Sequence, residues 1–527
     1  MKTLSLSLVS LPLLVFATGC DDATSTPGVS GRAASSTGGH PSTGGNSSTA
    51  AGNTSMGAGG HTSVGGNSSA GRAGSVSAGG NSAAGAPGSS GGSPAAGAAG
   101  STAMGGMAGM MTCTARSTCA DGNTCSAGAG GSDTGMAGTH WVGTWATALQ
   151  ATEPRNLPMG ASDCNPTPDN PGFAGNTLRQ LIHVSIGGSK LRLRLSNEYG
   201  VAPVTMAAVH IANSKGSGTI DTASDKALMF SGMPSVTIPA GQVVNSDTLD
   251  YTLPALADLA ITIKFGDQSK DVTGHPGSRT YSYLQTGDTL TQESPASDAM
   301  KFAHWYFISG LDVVADESTA AVVAIGDSLT DGRGSTNDGN DRWPDALSRR
   351  LQMDPSTANV AVLNAGIGGN AVLTGGIGPT AKVRYGHDVL DAPGVKWVIV
   401  FEGVNDIGGA TTDVSGDLTA QFQQFVMDAR MQNLKAFGAT ITPFGTNKSY
   451  DVLDHLAQRT TVNTWIKATG NFDAALDFDA AVHDPANPDK LRDDYADLSN
   501  SVGTDYLHMN PTGYQALADS IDLTIFK

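Results

Sequence analysis

From residue 139 onward the chain follows two rhythms. In IHVSIGGSKLRLRL, Ile182, Val184 and Ile186 alternate with other residues, Gly187, Gly188 and Ser189 interrupt, and Leu191, Leu193 and Leu195 resume the alternation. Apolar residues at every second position share one face of a strand, so this stretch reads as a hairpin. LAITIKF repeats the pattern with Leu259, Ile261, Ile263 and Phe265, and VTMAAVHIA and KFAHWYFIS predict further strands. Short alternating runs between turns, with no sustained helical period, predict a β-sandwich over 139–316. Trp141, Trp145, Trp305 and Tyr306 are of a type that stacks on sugars, but strand aromatics usually belong to the core and are expected there.

After Glu317 the alternation gives way to unbroken apolar runs, AAVVAI, VAVLNA and KWVIVFEG, as in strands buried on both faces. Helical stretches lie between them, one beginning near WPDALSRRL and another covering DLTAQFQQFVMDARMQNLKAFG. Strand alternating with helix predicts a parallel sheet covered on both sides, over 317–527, a length that suits one domain.

Composition changes the picture ahead of these regions. The chain has 527 residues, 69 of them glycine and only 15% charged. Glycines and small polar residues dominate 21–112, where GGNSS recurs. Such a segment cannot bury enough surface to offset the entropy of ordering, which predicts a disordered tether with an end-to-end distance of roughly 50 Å. TCTARSTCADGNTC, with Cys113, Cys119 and Cys125, marks a small cysteine-containing segment over 113–138 to which no chemistry is assigned.

At the start, Lys2 and the apolar run LSLSLVSLPLLVFA lead to ATGC. The run is too short to span a membrane as a helix and reads as a targeting signal over 1–20. Small residues before Cys20 resemble a bacterial lipobox, in which that cysteine becomes the lipidated first residue. The expectation is an exported lipoprotein anchored to a membrane. In an oxidising compartment Cys113, Cys119, Cys125 and Cys164 allow up to two disulfides, and their spacing does not rank the three connectivities. The formal net charge of −17 opposes nucleic acid or anionic lipid as a partner. No HExxH, dinucleotide fingerprint or P-loop occurs, so no metal, nucleotide or other cofactor is expected.

Candidate chemistry gathers where parallel strands end. Ser328 follows the first run in GDSLTDG, NAGIGGN (364–370) follows the second, EGVND (402–406) follows the third, and DYLHMNP holds Asp505 and His508 near the C-terminus. Loops at the C-terminal ends of such strands are where open α/β sheets place their sites. Each piece meets one need of acyl transfer. The hydroxyl of Ser328 requires a base, which His508 supplies, and the imidazole requires a carboxylate partner, which suits Asp505. The developing oxyanion requires donors, which the backbone N–H groups of Ser328 and Gly369 and the side-chain amide of Asn405 can provide. Glycine at 369 would allow the backbone to approach a substrate closely. Asn510 and Pro511 predict a helix start just behind His508. Asp406 is expected to brace Asn405, and His387 beside Asp388 to brace or face solvent.

Taken in order, GDSL at 326–329, NAGIGGN, GVND and DYLH resemble the four blocks of the SGNH (GDSL) hydrolases, a family of esterases and lipases with a flavodoxin-like, three-layer α/β fold. The resemblance covers about 317–527. It implies Ser328 as nucleophile, Asp505 and His508 as the rest of a triad, and Ser328, Gly369 and Asn405 as the oxyanion hole. Met509 departs from the pattern, since proline commonly follows the histidine. HWVGTWATA, TLRQLIHVSIGG and LRLRLSNEYG are similar to a secreted branch with a β-rich domain ahead of the hydrolase, often grouped with polysaccharide esterases. The implied activity is hydrolysis of carboxylic esters, with acetyl groups on a polysaccharide as the favoured substrate. A lipase or arylesterase for longer chains is the alternative within the class. From outside it, the alternative is an inactive surface lipoprotein that binds glycan, against which the intact Ser328, Asp505 and His508 weigh.

Overall fold

The three unbroken apolar runs pair as strands of one parallel sheet. In the computed structural model, which describes residues 138–158, 173–266, 272–452, 454–497 and 504–527, these strands are Ala320–Gly326, Val360–Gly366 and Val395–Phe401. The proposed signal, Cys20, the tether, the cysteine-containing segment up to residue 137 and Cys164 lie outside the described residues.

Two further parallel strands, Lys435–Ala439 and Ala474–Leu476, extend the sheet, which runs from the Val360 strand through the Ala320, Val395 and Lys435 strands to the Ala474 strand. Numbered along the chain this order is 2-1-3-4-5, the flavodoxin-like arrangement. Every residue of Ala320–Gly326 is buried, as expected of a strand covered on both faces. Its helices fall into two packed groups. One contains Trp343–Met353, Phe478–Val482 and Pro511–Asp519, and the other Ala381–Tyr385, Ser415–Met431 and His455–Lys467.

The sequence read one helix through DLTAQFQQFVMDARMQNLKAFG, but the helix stops at Met431 and KAFGA is the fourth parallel strand. Asn433 at φ +60° turns the chain out of the helix, and Leu434 N–H closes onto Ala429 O at 2.9 Å. Asparagine tolerates that left-handed conformation better than most residues.

The region expected as a β-sandwich consists of three antiparallel sheets. The first joins Thr139–Ala146, Ile308–Asp316, Gly188–Ser196 and Leu249–Leu253, with Val243–Asn245 also on Gly188–Ser196. A larger one is centred on Thr177–His183, Asp258–Phe265 and Val204–Gly216, and a small third joins Gln150–Ala151, Thr273–Pro276 and His304–Tyr306. The expected hairpin is absent. Thr177–His183 pairs with Asp258–Phe265 and Ser282–Gln285, whereas Gly188–Ser196 belongs to the other sheet. Ile182, Val184, Ile186, Leu191, Leu193 and Leu195 nevertheless share one core. Two facing sheets satisfy the same alternation as one hairpin, so periodicity alone does not choose between them.

KFAHWYFIS likewise serves three sheets in succession, through Met300–Phe302, His304–Tyr306 and the start of Ile308–Asp316. The break at Phe307 has φ +62°. Trp145, Trp305 and Tyr306 are core residues, and Trp141 lies under Arg192, whose guanidinium carbon is 4.4 Å from the ring centre.

The β-rich and α/β parts are continuous in their packing. Gly143 N–H donates to Pro393 O at 2.9 Å, His140 Nε2 lies 2.9 Å from Thr319 O, and a Cβ at Gly143 would stand 2.9 Å from Leu363 Cδ1. One apolar cluster runs through both parts.

Candidate active site

Ser328 is the first residue of the four-residue helix Ser328–Asp331 that follows the first parallel strand. Asp327 caps it, its Oδ1 accepting Leu329 N–H at 2.8 Å. The strand end and this cap together hold the hydroxyl at the C-terminal edge of the sheet. Ser328 Oγ lies 2.8 Å from His508 Nε2, and His508 Nδ1 lies 2.6 Å from Asp505 Oδ2. With a neutral imidazole, Nδ1–H donates to the carboxylate and the Nε2 lone pair accepts the serine proton.

Asp505 carries out a second task as well. Its Oδ1 accepts the N–H groups of Leu507 and His508, each at 2.9 Å, fixing the three-residue turn between carboxylate and imidazole. Burial works against its charge, but the bond from His508 and these backbone donors outweigh it and hold the carboxyl well below the usual range. His508 is moved down from histidine's ordinary value, chiefly by burial, with the pull of Asp505 only partly compensating. Behind it, Asn510 Oδ1 accepts Gly513 N–H at 3.0 Å and the helix begins at Pro511. Met509, at the position where proline is the commoner residue, is fully buried.

The oxyanion candidates converge on the same edge. Gly368 N–H donates to Asp331 Oδ2 at 3.1 Å, which brings the Gly369 loop onto the Ser328 helix. Asn405, in Val404–Gly408, donates from Nδ2 to Asn370 O at 2.8 Å, so its amide meets the same loop. Among the described residues, no hydrogen bond takes up the N–H of Ser328 or of Gly369. Glycine is required at 369 by its φ of +74° and by Ile377, whose Cδ1 would stand 2.9 Å from a Cβ. The constraint therefore comes from the loop's own backbone and packing.

Asp406 was expected to brace Asn405. Instead its two oxygens accept the N–H groups of Val372 and Leu373, each at 2.8 Å, so it ties the Gly369 loop from its far side. His387 and Asp388 do bond to each other, at 2.8 Å, but Asp388 is also held by Arg384 at 3.0 Å.

Three features were not foreseen. Arg384 is buried and reaches Gly326 O at 3.0 Å, Ala365 O at 2.6 Å, Asn370 Oδ1 at 3.0 Å and Glu402 Oε1 at 3.3 Å, joining the ends of three neighbouring strands. Around it, burial pushes Asp327 up to about 7 and Glu402 well above its usual range. His275, from the β-rich part, lies 2.9 Å from Asp331 Oδ1 through Nε2 and 2.7 Å from Ala148 O through Nδ1. It thereby supports the carboxylate that holds the Gly369 loop. Tyr450 donates to Asn405 Oδ1 at 2.6 Å. For Asp331 the sequence carries a weak signal, its place in the serine's own short helix; for the other residues the contacts span distant segments and leave no local pattern.

Residues 324–516 match the GDSL-like lipase/acylhydrolase family. No curated protein matches the chain significantly. Solved structures to which it is similar include a GDSL-like lipase from Bacteroides thetaiotaomicron, 17% identical over 39% of this chain and 87% of that one, TM-score 0.29. A lipase/acylhydrolase from Enterococcus faecalis is 17% identical over 38% of this chain and 93% of that one, TM-score 0.30. An acetyl xylan esterase from Geobacillus stearothermophilus is 19% identical over 38% and 94%, TM-score 0.28.

Proposed function

We propose, from the premise that residues 324–516 form a GDSL-like lipase/acylhydrolase domain, that this protein is an exported serine esterase that cleaves carboxylic esters through an acyl-enzyme on Ser328. The observation that carries the reading is the relay from Asp505 through His508 to Ser328, at 2.6 and 2.8 Å, on the sheet edge where the Gly369 loop meets the Asn405 amide.

In this reading Ser328 Oγ attacks the ester carbonyl carbon as its proton passes to His508 Nε2. Asp505 offsets the imidazolium charge while the carbonyl oxygen, now negative, takes hydrogen bonds from the N–H groups of Ser328 and Gly369 and from Asn405 Nδ2. His508 then protonates the leaving alkoxide, the C–O bond breaks, and the acyl group remains on Ser328. Water repeats the sequence, giving its proton to His508, and the free acid leaves.

The preferred ester carries a small acyl group, acetyl on a polysaccharide. Cys20 would anchor the protein to a membrane of the cell envelope through lipid. The long Gly- and Ser-rich stretch behind it would let the catalytic part reach a polymer away from that membrane. Rates on p-nitrophenyl esters from acetate to palmitate, beside acetylated xylan and pectin, test the reading. The expected pattern is a maximum at the shortest acyl chains and release of acetate from a polymer. Hydrolysis no faster than that of Ser328→Ala would overturn the enzyme assignment, and a maximum at long chains would overturn the substrate.

A further inference from the structure

A side-chain amide has an oxygen end and a nitrogen end of nearly equal shape, so Asn405 stabilises an oxyanion only if something decides which end faces it. One bond makes that decision and a second holds the amide in place. Asn405 Nδ2 gives one N–H to Asn370 O at 2.8 Å, leaving its second N–H for another acceptor, and Oδ1 accepts the Tyr450 hydroxyl at 2.6 Å. Turning the amide over would set its oxygen against Asn370 O, with no hydrogen between them, whereas the tyrosine hydroxyl, able to donate or accept, could bond either end.

Tyr450 is itself held from several directions. Its ring meets Phe444 edge-on with centres 6.1 Å apart, its carbonyl lies 2.8 Å from His455 Nδ1, and a Cβ at Gly408 would run into the ring. Gly408 sits in the same short helix as Asn405, so the lack of a side chain there makes room for the tyrosine that holds the amide. Burial pushes the Tyr450 hydroxyl up to about 12, which keeps it a donor at ordinary working pH. The same turn also reaches the triad. Asn447 Oδ1 accepts Tyr450 N–H at 3.1 Å, and Asn447 Nδ2 donates to Asp505 O at 2.6 Å.

We propose that Tyr450 is the positioning residue of the oxyanion donor. It pins in place the Asn405 amide whose ends the Asn370 carbonyl has set, on a turn that Asn447 registers against the backbone of Asp505. The inference rests on the reading of Asn405 as an oxyanion donor. Its role is to lower the cost of forming the tetrahedral intermediate, with no contact to substrate of its own.

The test is a double-mutant cycle in the full chain with Tyr450→Phe and Asn405→Ala, reading kcat and KM on p-nitrophenyl acetate. Tyr450→Phe keeps the ring and is expected to lower kcat about tenfold with KM within about twofold. Asn405→Ala is expected to lower kcat by roughly 10²–10³. The double variant should be no slower than Asn405→Ala alone, because the tyrosine has nothing left to hold. The pH midpoint of kcat/KM should not move in Tyr450→Phe, since His508 is untouched. Gly408→Ala, which displaces the ring while keeping the hydroxyl, should reproduce the kcat loss and covers the case in which Tyr450→Phe does not fold. Equal factors for Tyr450→Phe in both backgrounds, or full kcat in Tyr450→Phe, would overturn the positioning role. Full kcat in a folded Asn405→Ala would instead overturn the donor reading on which it rests.

Discussion

His508 is 7% exposed and can accept the Ser328 proton only as neutral imidazole. Burial lowers its pKa below histidine's ordinary 6.5, and a lowered pKa means that the base form survives to lower pH. The value of kcat/KM should therefore rise with pH to a plateau, with its midpoint below about 6.5. A midpoint clearly above that in a pH series on p-nitrophenyl acetate would contradict the burial argument. Asp505→Asn removes the charge that favours imidazolium, so it should shift the midpoint further down and lower plateau kcat by roughly 10⁴. Ser328, Gly369 and Asn405 were legible from residue type and position after strand ends, and Asp505 and His508 from their three-residue spacing just ahead of a helix start. Tyr450 and His275 were not, because a hydrogen-bond partner dozens of residues away leaves no periodicity or spacing in the chain.

At the scale of elements, the site depends on three strand ends staying level. Arg384 bonds the carbonyls of Gly326 and Ala365 and the carboxyl of Glu402, and its guanidinium also pairs with half-buried Asp388. Arg384→Met would leave two carbonyls without this donor and Asp388 with only His387, at a cost on the order of 3 kcal/mol or more. Arg384→Lys should recover little, since an ammonium cannot span the same fork of acceptors. Denaturant midpoints check both, and a lysine variant as stable as wild type would show that charge alone suffices. Here sequence patterning reached the first three strands and missed the fourth and the short fifth, Ala474–Leu476. An apolar KAFGA after an amphipathic helix continues the helical pattern by eye, and the break depends on the backbone of one residue, Asn433.

For the molecule as a whole, the question is whether the α/β part can stand alone. Every named catalytic group lies beyond 139–316, which by itself predicts that removing that region costs stability or action on polymers more than chemistry. The structure gives that removal two consequences. It would bare the apolar surface around Leu363 and Pro393 where Gly143 now packs, and it would take His275 from Asp331, which holds the Gly368 N–H. The fragment 317–527 is therefore expected to aggregate or to unfold at lower temperature, and any soluble fraction to show reduced kcat. Residues 138–527 should keep full kcat, because every contact named at the site lies within them. Size-exclusion profiles, melting curves and kcat of the two fragments decide. A stable, fully active 317–527 would show that the shared core and His275 are dispensable.

Strand periodicity, the change of rhythm near residue 317 and the order of GDSL, NAGIGGN, GVND and DYLH were enough to predict a parallel α/β sheet and the five residues at its edge. These are local properties, in which a residue's type and its distance from a strand end or a helix start carry the information. Which sheet each alternating run joined, what braced the Gly369 loop, and which way the Asn405 amide faced were decided only by tertiary structure. Alternation specifies a buried face without naming the partner that buries it, and an amide's orientation and position depend on groups the fold brings in, the Asn370 carbonyl that sets its ends and the Tyr450 hydroxyl that holds it.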